Sequence, residues 1–247
     1  MTASKVILVT GSNTGIGYEL VHLLAAKGHT VYLASRKESA GHEAVEKIKK
    51  EKGLDVKFVH LDITDPASSV AAAESIKSAE GRLDVLVNNA GISEMGPGMS
   101  ILNPPIPAIR NAFETNVVGL IQTTTAFLPL LRASHTPDAP AVILNISTDM
   151  ASNAFMTSDK GFLHEAVAYN TSKAAANAYT VALAHELKGE GIKVNALTPG
   201  FTTTKLNGFA PGGKTPEQGA ATMIPWCILG KDGKTGCFGS DGGEWPW

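Results

Sequence analysis

Two cysteines, Cys227 and Cys237, are all that a chain of 247 residues carries. They cannot build a disulfide framework and read as reduced thiols. Long apolar runs are missing too: none is long enough for a bilayer span. The first run, Val6 to Val9, has the character of a core strand rather than of a secretory leader. Charge of one sign is also lacking, since 21 Lys and Arg face 23 Asp and Glu for a net of -2. That balance offers no electrostatic footprint for nucleic acid. Hydrolase signatures are absent as well. The His-Glu pairs at His42, His164 and His185 are followed by Glu46, Ala168 and Gly189 where a zincin needs its second histidine. No G-x-S-x-G elbow occurs, so a Ser-His-Asp hydrolase has no support, and no metal site is expected. The expectation is a soluble cytoplasmic protein without a membrane or nucleic-acid partner.

What is present suits one large core, with 43% hydrophobic and 18% charged residues. Apolar runs recur as VILV from Val6, VYLA from Val31, VKFVHL from Val56, LDVLV from Leu83, AVILNI from Ala141 and IKVNAL from Ile192. Unbroken runs of this kind suit strands buried on both faces. Helical spacing fills the intervals. Ile16, Leu20, Leu23 and Leu24 form one stripe that Gly28 is placed to end, and Asp65-Pro66 opens a later helix. A further short strand is expected near residues 236–239. The alternation predicts an α/β Rossmann-type fold over residues 1–247, a doubly wound parallel sheet of about seven strands with helices on both faces. Residues 201–225, rich in Gly, Thr and Pro, are expected to form a mobile loop over the substrate.

The first strand runs into Thr10-Gly-Ser-Asn-Thr-Gly-Ile-Gly17 and then a helix. The spacing is G-x-x-x-G-x-G rather than G-x-G-x-x-G, but the physics is shared. Gly11, Asn13, Thr14, Gly15, Ile16 and Gly17 would let the backbone approach a pyrophosphate at a helix N-terminus, where amide donors and the dipole favour an anion. The end of the second strand selects the dinucleotide. An acid there would accept from the ribose hydroxyl of NAD; this chain has Ser35 and Arg36, and a guanidinium can grip a 2'-phosphate. NADP(H) is the expected cofactor. Asp62 and Ile63 are placed to flank the adenine. Asn89, Ala90 and Gly91 end the fourth strand with small residues that allow a close approach.

Tyr169 and Lys173 stand four apart in a helical stretch and so share one face. Taken alone, they are either an ordinary surface pair or a phenol whose acidity a lysine tunes.

These segments, in this order, resemble the short-chain dehydrogenase/reductase family: TGxxxGIG from Thr10, NNAG from Asn88, Asn116, Ser147, YxxxK from Tyr169 and Pro199-Gly200. The Ala34-Ser-Arg36 strand end and TPEQGA from Thr215 are most similar to the NADP-dependent, carbonyl-reductase-like members. The resemblance implies a catalytic tetrad of Asn116, Ser147, Tyr169 and Lys173. Tyr169 would exchange the proton, Ser147 would bond the substrate oxygen, Lys173 would favour phenolate and hold the nicotinamide ribose, and Asn116 would hold a water leading to Lys173. Pro199, Gly200, Thr202 and Thr204 would contact the carboxamide and phosphates. The implied activity interconverts a hydrophobic ketone or aldehyde and its alcohol, with Met95, Met150, Phe155, Phe201, Phe209 and Trp226 as candidate pocket walls. The alternative is a non-catalytic NADP-binding regulator on the same fold. One departure stands out. Ser147 and Tyr169 lie 22 positions apart, more than in most members, and the extra length at about residues 153–165 is expected to shape the pocket or an interface. A homo-oligomer and a monomer are both compatible with the sequence.

Overall fold

The computed structural model describes residues 4–96, 98–136 and 138–247. Its centre is one sheet: β1 Val6–Val9, β2 Thr30–Ser35, β3 Lys57–His60, β4 Val85–Asn88, β5 Val142–Ile146, β6 Lys193–Leu197, β7 Phe238–Ser240 and β8 Gly243–Glu244. The order is β3-β2-β1-β4-β5-β6-β7-β8, parallel through β7. The apolar runs form strands because both faces are covered, and successive side chains enter opposite cores. Val6 and Leu8 join Tyr32, Leu86 and Ile143 on one face. Ile7 and Val9 join Leu33, Val87 and Leu144 on the other.

Helices α1 Gly15–Ala25, α2 Glu38–Lys52 and α8 Pro216–Cys227 cover one face, and α3 Pro66–Glu80, α5 Leu120–Ser134 and α7 Val167–Glu186 the other. The remaining two are α4 Ile106–Phe113 and the short α6 Asn153–Met156. Asp65 caps α3 by accepting from Ala67 N at 2.9 Å, ahead of the proline that starts it. Between α4 and α5 the helix widens into a π-helical turn over Glu114–Gly119.

Three expectations need correction. The sheet has an eighth strand, β8, antiparallel to β7, because a two-residue turn folds the tail back on the sheet edge. The loop after β6 ends near residue 215 rather than 225: Thr215 and Gln218 form a reciprocal capping box, which starts α8 there. Finally, Ile106–Ser134 forms one helical run long and apolar enough to cross a membrane. Its second half packs one face into the domain, where Leu120, Phe127, Leu130 and Leu131 are buried.

Candidate active site

Parallel strands point their C-terminal ends the same way, so every loop carrying a motif emerges on one edge. The order reverses between β1 and β4, and the crevice there is where open α/β sheets bind ligands. Thr10 joins its two sides. Its hydroxyl accepts from Asn89 N at 3.0 Å and Ala90 N at 2.9 Å. Asn89 Nδ2 returns bonds to the carbonyls of Thr10 and Gly11 at 2.8 and 3.1 Å. Gly11 has φ of 58°, and a Cβ there would come within 2.8 Å of Ala90 Cα, so the crossing needs glycine. Gly15, Ile16 and Gly17 form the first turn of α1. Thr14 is its N-cap but makes no side-chain cap bond, and Asn13 lies half-buried before it. No acid occupies that first turn, so the amide donors at the start of α1 keep their capacity for an anion.

At the end of β2, Ser35 is buried and its hydroxyl is spent locally, donating to Lys37 O at 3.0 Å and accepting from Lys37 N. It clears space but has no free donor. Arg36 is exposed and makes no ion pair among the described residues. Its charge reaches Asp62. Burial works against the Asp62 carboxylate, but hydrogen bonds from Thr64 and the positive field of Arg36 prevail and lower its pKa. The Ile63 side chain is buried in the core, so any contact of Ile63 with an adenine would come from its backbone. Only Asp62 faces outward.

The tetrad positions gather. Asn116 lies in the π-helical turn, fully buried. Its Nδ2 donates to Ile92 O at 2.8 Å and Ser172 Oγ at 3.0 Å, while its Oδ1 accepts from Ile92 N at 2.9 Å. Both amide protons are therefore used, and one Oδ1 lone pair remains for a water. Ser172 Oγ donates in turn to Tyr169 O at 2.9 Å. Lys173 Nζ donates to Ile146 O at 2.8 Å, one residue before Ser147. A Cβ on Gly91 would lie 3.0 Å from Asn116 Oδ1 and 3.2 Å from Lys173 Nζ, so small size at Gly91 admits the lysine. Ser147 Oγ is buried without a hydrogen-bond partner.

Burial lowers Lys173 to about 8 and raises Tyr169, to whose ionisation the carboxylate of Asp149 adds opposition. The amine of Lys173 is turned to the Ile146 carbonyl. The lysine has a consequence for stability. An unfolded Lys173 keeps its proton to about its ordinary 10.5, whereas the folded one sheds it above about 8. Between those values the unfolded state holds the extra proton, so stability without nucleotide should rise with pH, by at most about 1.4 kcal/mol per unit. The gain is lost as pH falls through about 8. Urea unfolding at pH 8, 9 and 10 should show the slope in wild type and a flatter one in Lys173→Met; equal slopes would remove the buried amine as its source.

The rim is built from the later loops. Gly200 turns with φ of 75°, after Pro199, whose carbonyl accepts from Lys214 Nζ at 3.4 Å. Thr202 is buried and bonds Gly200 O, and Thr204 Cγ2 approaches Gly15, so residues 199–204 lie over the glycine loop. Ser93 Oγ donates to Leu206 O at 2.7 Å and fastens this loop to the β4 side. Of the expected pocket walls, Trp226 is misplaced: it is buried in the core against Gly239. Phe201 and Phe209 are exposed, Met95 is half-buried and Met150 is buried. Phe155 meets Phe162 edge-on at 6.1 Å and Trp245 at 5.3 Å, joining residues 153–165 to the C-terminal tail. Phe155→Ala should remove both ring contacts. Michaelis constants for bulky carbonyls should then change several-fold while NADPH affinity holds, a split that parallel kinetics and calorimetry would read. Unchanged substrate constants would make the clasp inert.

Asp149, Lys214, Asp241 and Trp245, which line a further cavity here, did not emerge from the motifs. Only the place of Asp149, two residues after Ser147, could have signalled it.

A doubly wound sheet with a glycine loop at its switch point defines a dinucleotide-binding α/β oxidoreductase architecture. The profile of the family described as short chain dehydrogenase matches residues 5–212, and the chain belongs to the short-chain dehydrogenase/reductase family, in its carbonyl-reductase-like branch. It is 31% identical to (+)-neomenthol dehydrogenase of Capsicum annuum, with 96% of each chain covered. That alignment runs over 310 residues, longer than this chain, so the relative carries segments with no counterpart here. Among solved structures, the NADPH-bound carbonyl reductase from chicken fatty liver superposes with TM-score 0.86 at 27% identity, covering 100% of both chains. Salutaridine reductase from Papaver somniferum superposes with TM-score 0.79 at 29% identity, covering 95% of this chain and 99% of that one.

Proposed function

We propose that the chain is an NADP(H)-dependent reductase that interconverts a hydrophobic ketone or aldehyde and its alcohol, with Tyr169 as proton donor and acceptor. One observation carries this reading: Lys173 is only 4% exposed, has no carboxylate partner among the described residues, and donates to the carbonyl of Ile146, next in the chain to Ser147 with its partnerless hydroxyl. An ammonium and a hydroxyl buried so incompletely satisfied destabilise a fold by several kcal/mol in general and persist where chemistry needs them. A regulator that only bound the nucleotide would need the glycine loop and Arg36, but not a buried unpartnered serine together with a buried tyrosine and lysine.

The residues fit the cofactor: the Gly11–Ala90 crossing leaves backbone open at α1, Arg36 is available to a 2'-phosphate, and residues 199–204 cover the glycine loop. When bound, NADPH supplies a hydride to the carbonyl carbon. Ser147 Oγ donates to the substrate oxygen and holds it toward Tyr169. Tyr169 delivers its phenolic proton to that oxygen as negative charge develops there, and regains it through Lys173 and a water on Asn116 Oδ1. Lys173, still charged near neutrality at a pKa of about 8, would lower the cost of the transient phenolate once the ribose hydroxyls draw it from the Ile146 carbonyl. Two unpaired cysteines suit the reducing interior of a cell, and that compartment is part of the same reading. The test is loss of NADPH absorbance across a panel of hydrophobic ketones, aldehydes and quinones. Turnover on members of the panel is expected. Tight NADPH binding with no turnover in either direction would return the chain to the regulator reading.

A further inference from the structure

A cavity of about 220 Å³ lies against the turn that follows Ser147, and its walls include Asp149, Thr198, Lys214, Asp241 and Trp245. Thr198 Oγ1 accepts from Asp149 N and Gly200 N, each at 3.1 Å, and so joins the turn after Ser147 to the loop after β6. Lys214 Nζ is already engaged, donating to Asp241 Oδ2 at 2.9 Å and Pro199 O. Asp149 accepts from Thr148 Oγ1 at 3.0 Å and has no cationic partner among the described residues. Two carboxylates against one ammonium leave one negative charge uncompensated. It sits two residues from Ser147, in a 3₁₀ turn that rises only about 2 Å per residue. Trp245 also lines the cavity, and an indole is a ring type that attracts cations.

We propose that Asp149 is a specificity-determining residue: it selects carbonyl substrates bearing a protonated amine, which enters this cavity while the carbonyl meets Ser147 and Tyr169. The assignment rests on the reductase reading above. It carries a kinetic consequence. The charge of Asp149 opposes loss of the Tyr169 proton, and an ammonium seated on Asp149 cancels that opposition, so a cationic substrate gains in proton transfer as well as in binding. A carboxylate-bearing substrate meets the opposite sign and is rejected.

Three ketones of matched length test this: 5-(dimethylamino)pentan-2-one, protonated near neutrality; 6-methylheptan-2-one, its neutral isostere; and the anion 5-oxohexanoate. Wild type should prefer the cation to the neutral ketone by about tenfold or more in kcat/KM, the scale of one charge-assisted bond, and should use the anion least. Asp149→Asn should bring the cation-to-neutral ratio near one, and Asp149→Lys should favour the anion. A second arm uses binding alone. Calorimetry of 5-(dimethylamino)pentan-2-ol against the NADP⁺-loaded protein should show an affinity that Asp149→Asn reduces about tenfold. If no ketone is reduced yet that affinity depends on residue 149, the reductase reading falls and the cation subsite stands. If neutral ketone is reduced while neither turnover ratio nor affinity depends on residue 149, the subsite falls alone. Absence of both turnover and binding overturns both.

Discussion

Tyr169→Phe should bind NADPH as wild type does and lose turnover by about 10²- to 10⁴-fold, the range supplied by a positioned proton donor. The substitution removes one hydroxyl from a residue only 7% exposed, so the ring keeps its packing and the loss reads as chemistry rather than unfolding. The raised pKa of Tyr169 suits the reductive direction: a buried phenol stays protonated until an alkoxide, more basic than phenolate, forms against it. Alcohol oxidation requires the ionised phenol and should therefore accelerate with rising pH, while reduction should not. Lys173→Ala should lose rate and nucleotide affinity together, since in the proposed mechanism the same amine serves the phenol and the ribose. Near-wild-type reduction by Tyr169→Phe would sink the assignment, and an oxidation rate flat from neutral to alkaline pH would remove the phenolate from it.

The parts of this architecture legible in the sequence are those written locally. A strand buried on both faces shows as an unbroken apolar run, which is why β1, β2, β4, β5 and β6 fall where Val6, Val31, Leu83, Ala141 and Ile192 open such runs. Motifs whose residues act through one turn were equally plain: the glycine loop before α1, and Tyr169 with Lys173 on α7. β8 was not legible, because two residues of Gly-Glu gain strand geometry only from pairing with β7. Trp226 looked like a pocket wall for want of any local sign of direction. Its neighbour Gly239 is on a different strand, and only the fold shows the two together.

The bonds that preorganise the site were the least legible. Thr10 to Asn89 and Ala90, Asn116 to Ile92, and Ser172 to Asn116 all cross between elements, and each residue alone is an ordinary polar residue. The orientation of Lys173 belongs with them. Spacing puts it on the face of Tyr169, but the carbonyl of Ile146 decides where the amine points, so the tuning of the phenol depends on what draws Lys173 away from it.

Cofactor preference should reverse with two substitutions at the end of β2. Wild type should bind NADPH about ten- to a hundredfold tighter than NADH, the equivalent of one charge-assisted hydrogen bond of about 1.5–3 kcal/mol. The guanidinium of Arg36 is the expected donor, since Ser35 Oγ is committed to Lys37 and the glycine loop carries no cation at Asn13 or Thr14. Asp62 is near enough to feel Arg36, and Arg36 makes no ion pair among the described residues, so the guanidinium can turn to a phosphate. In Ser35→Asp with Arg36→Ser, a carboxylate would accept from the ribose hydroxyls and repel the 2'-phosphate, so NADH should become the tighter ligand. Salt separates this from a packing effect: an exposed guanidinium–phosphate pair is screened within about 10 Å at 0.1 M ionic strength, so added salt should weaken NADPH more than NADH in wild type and lose that difference in the double variant. The measurement is four dissociation constants, each at low and high salt. Equal or tighter NADH binding by wild type would mean that Arg36 stays in solvent, and the NADP preference would fall while the sheet, the glycine loop and the tetrad geometry stood.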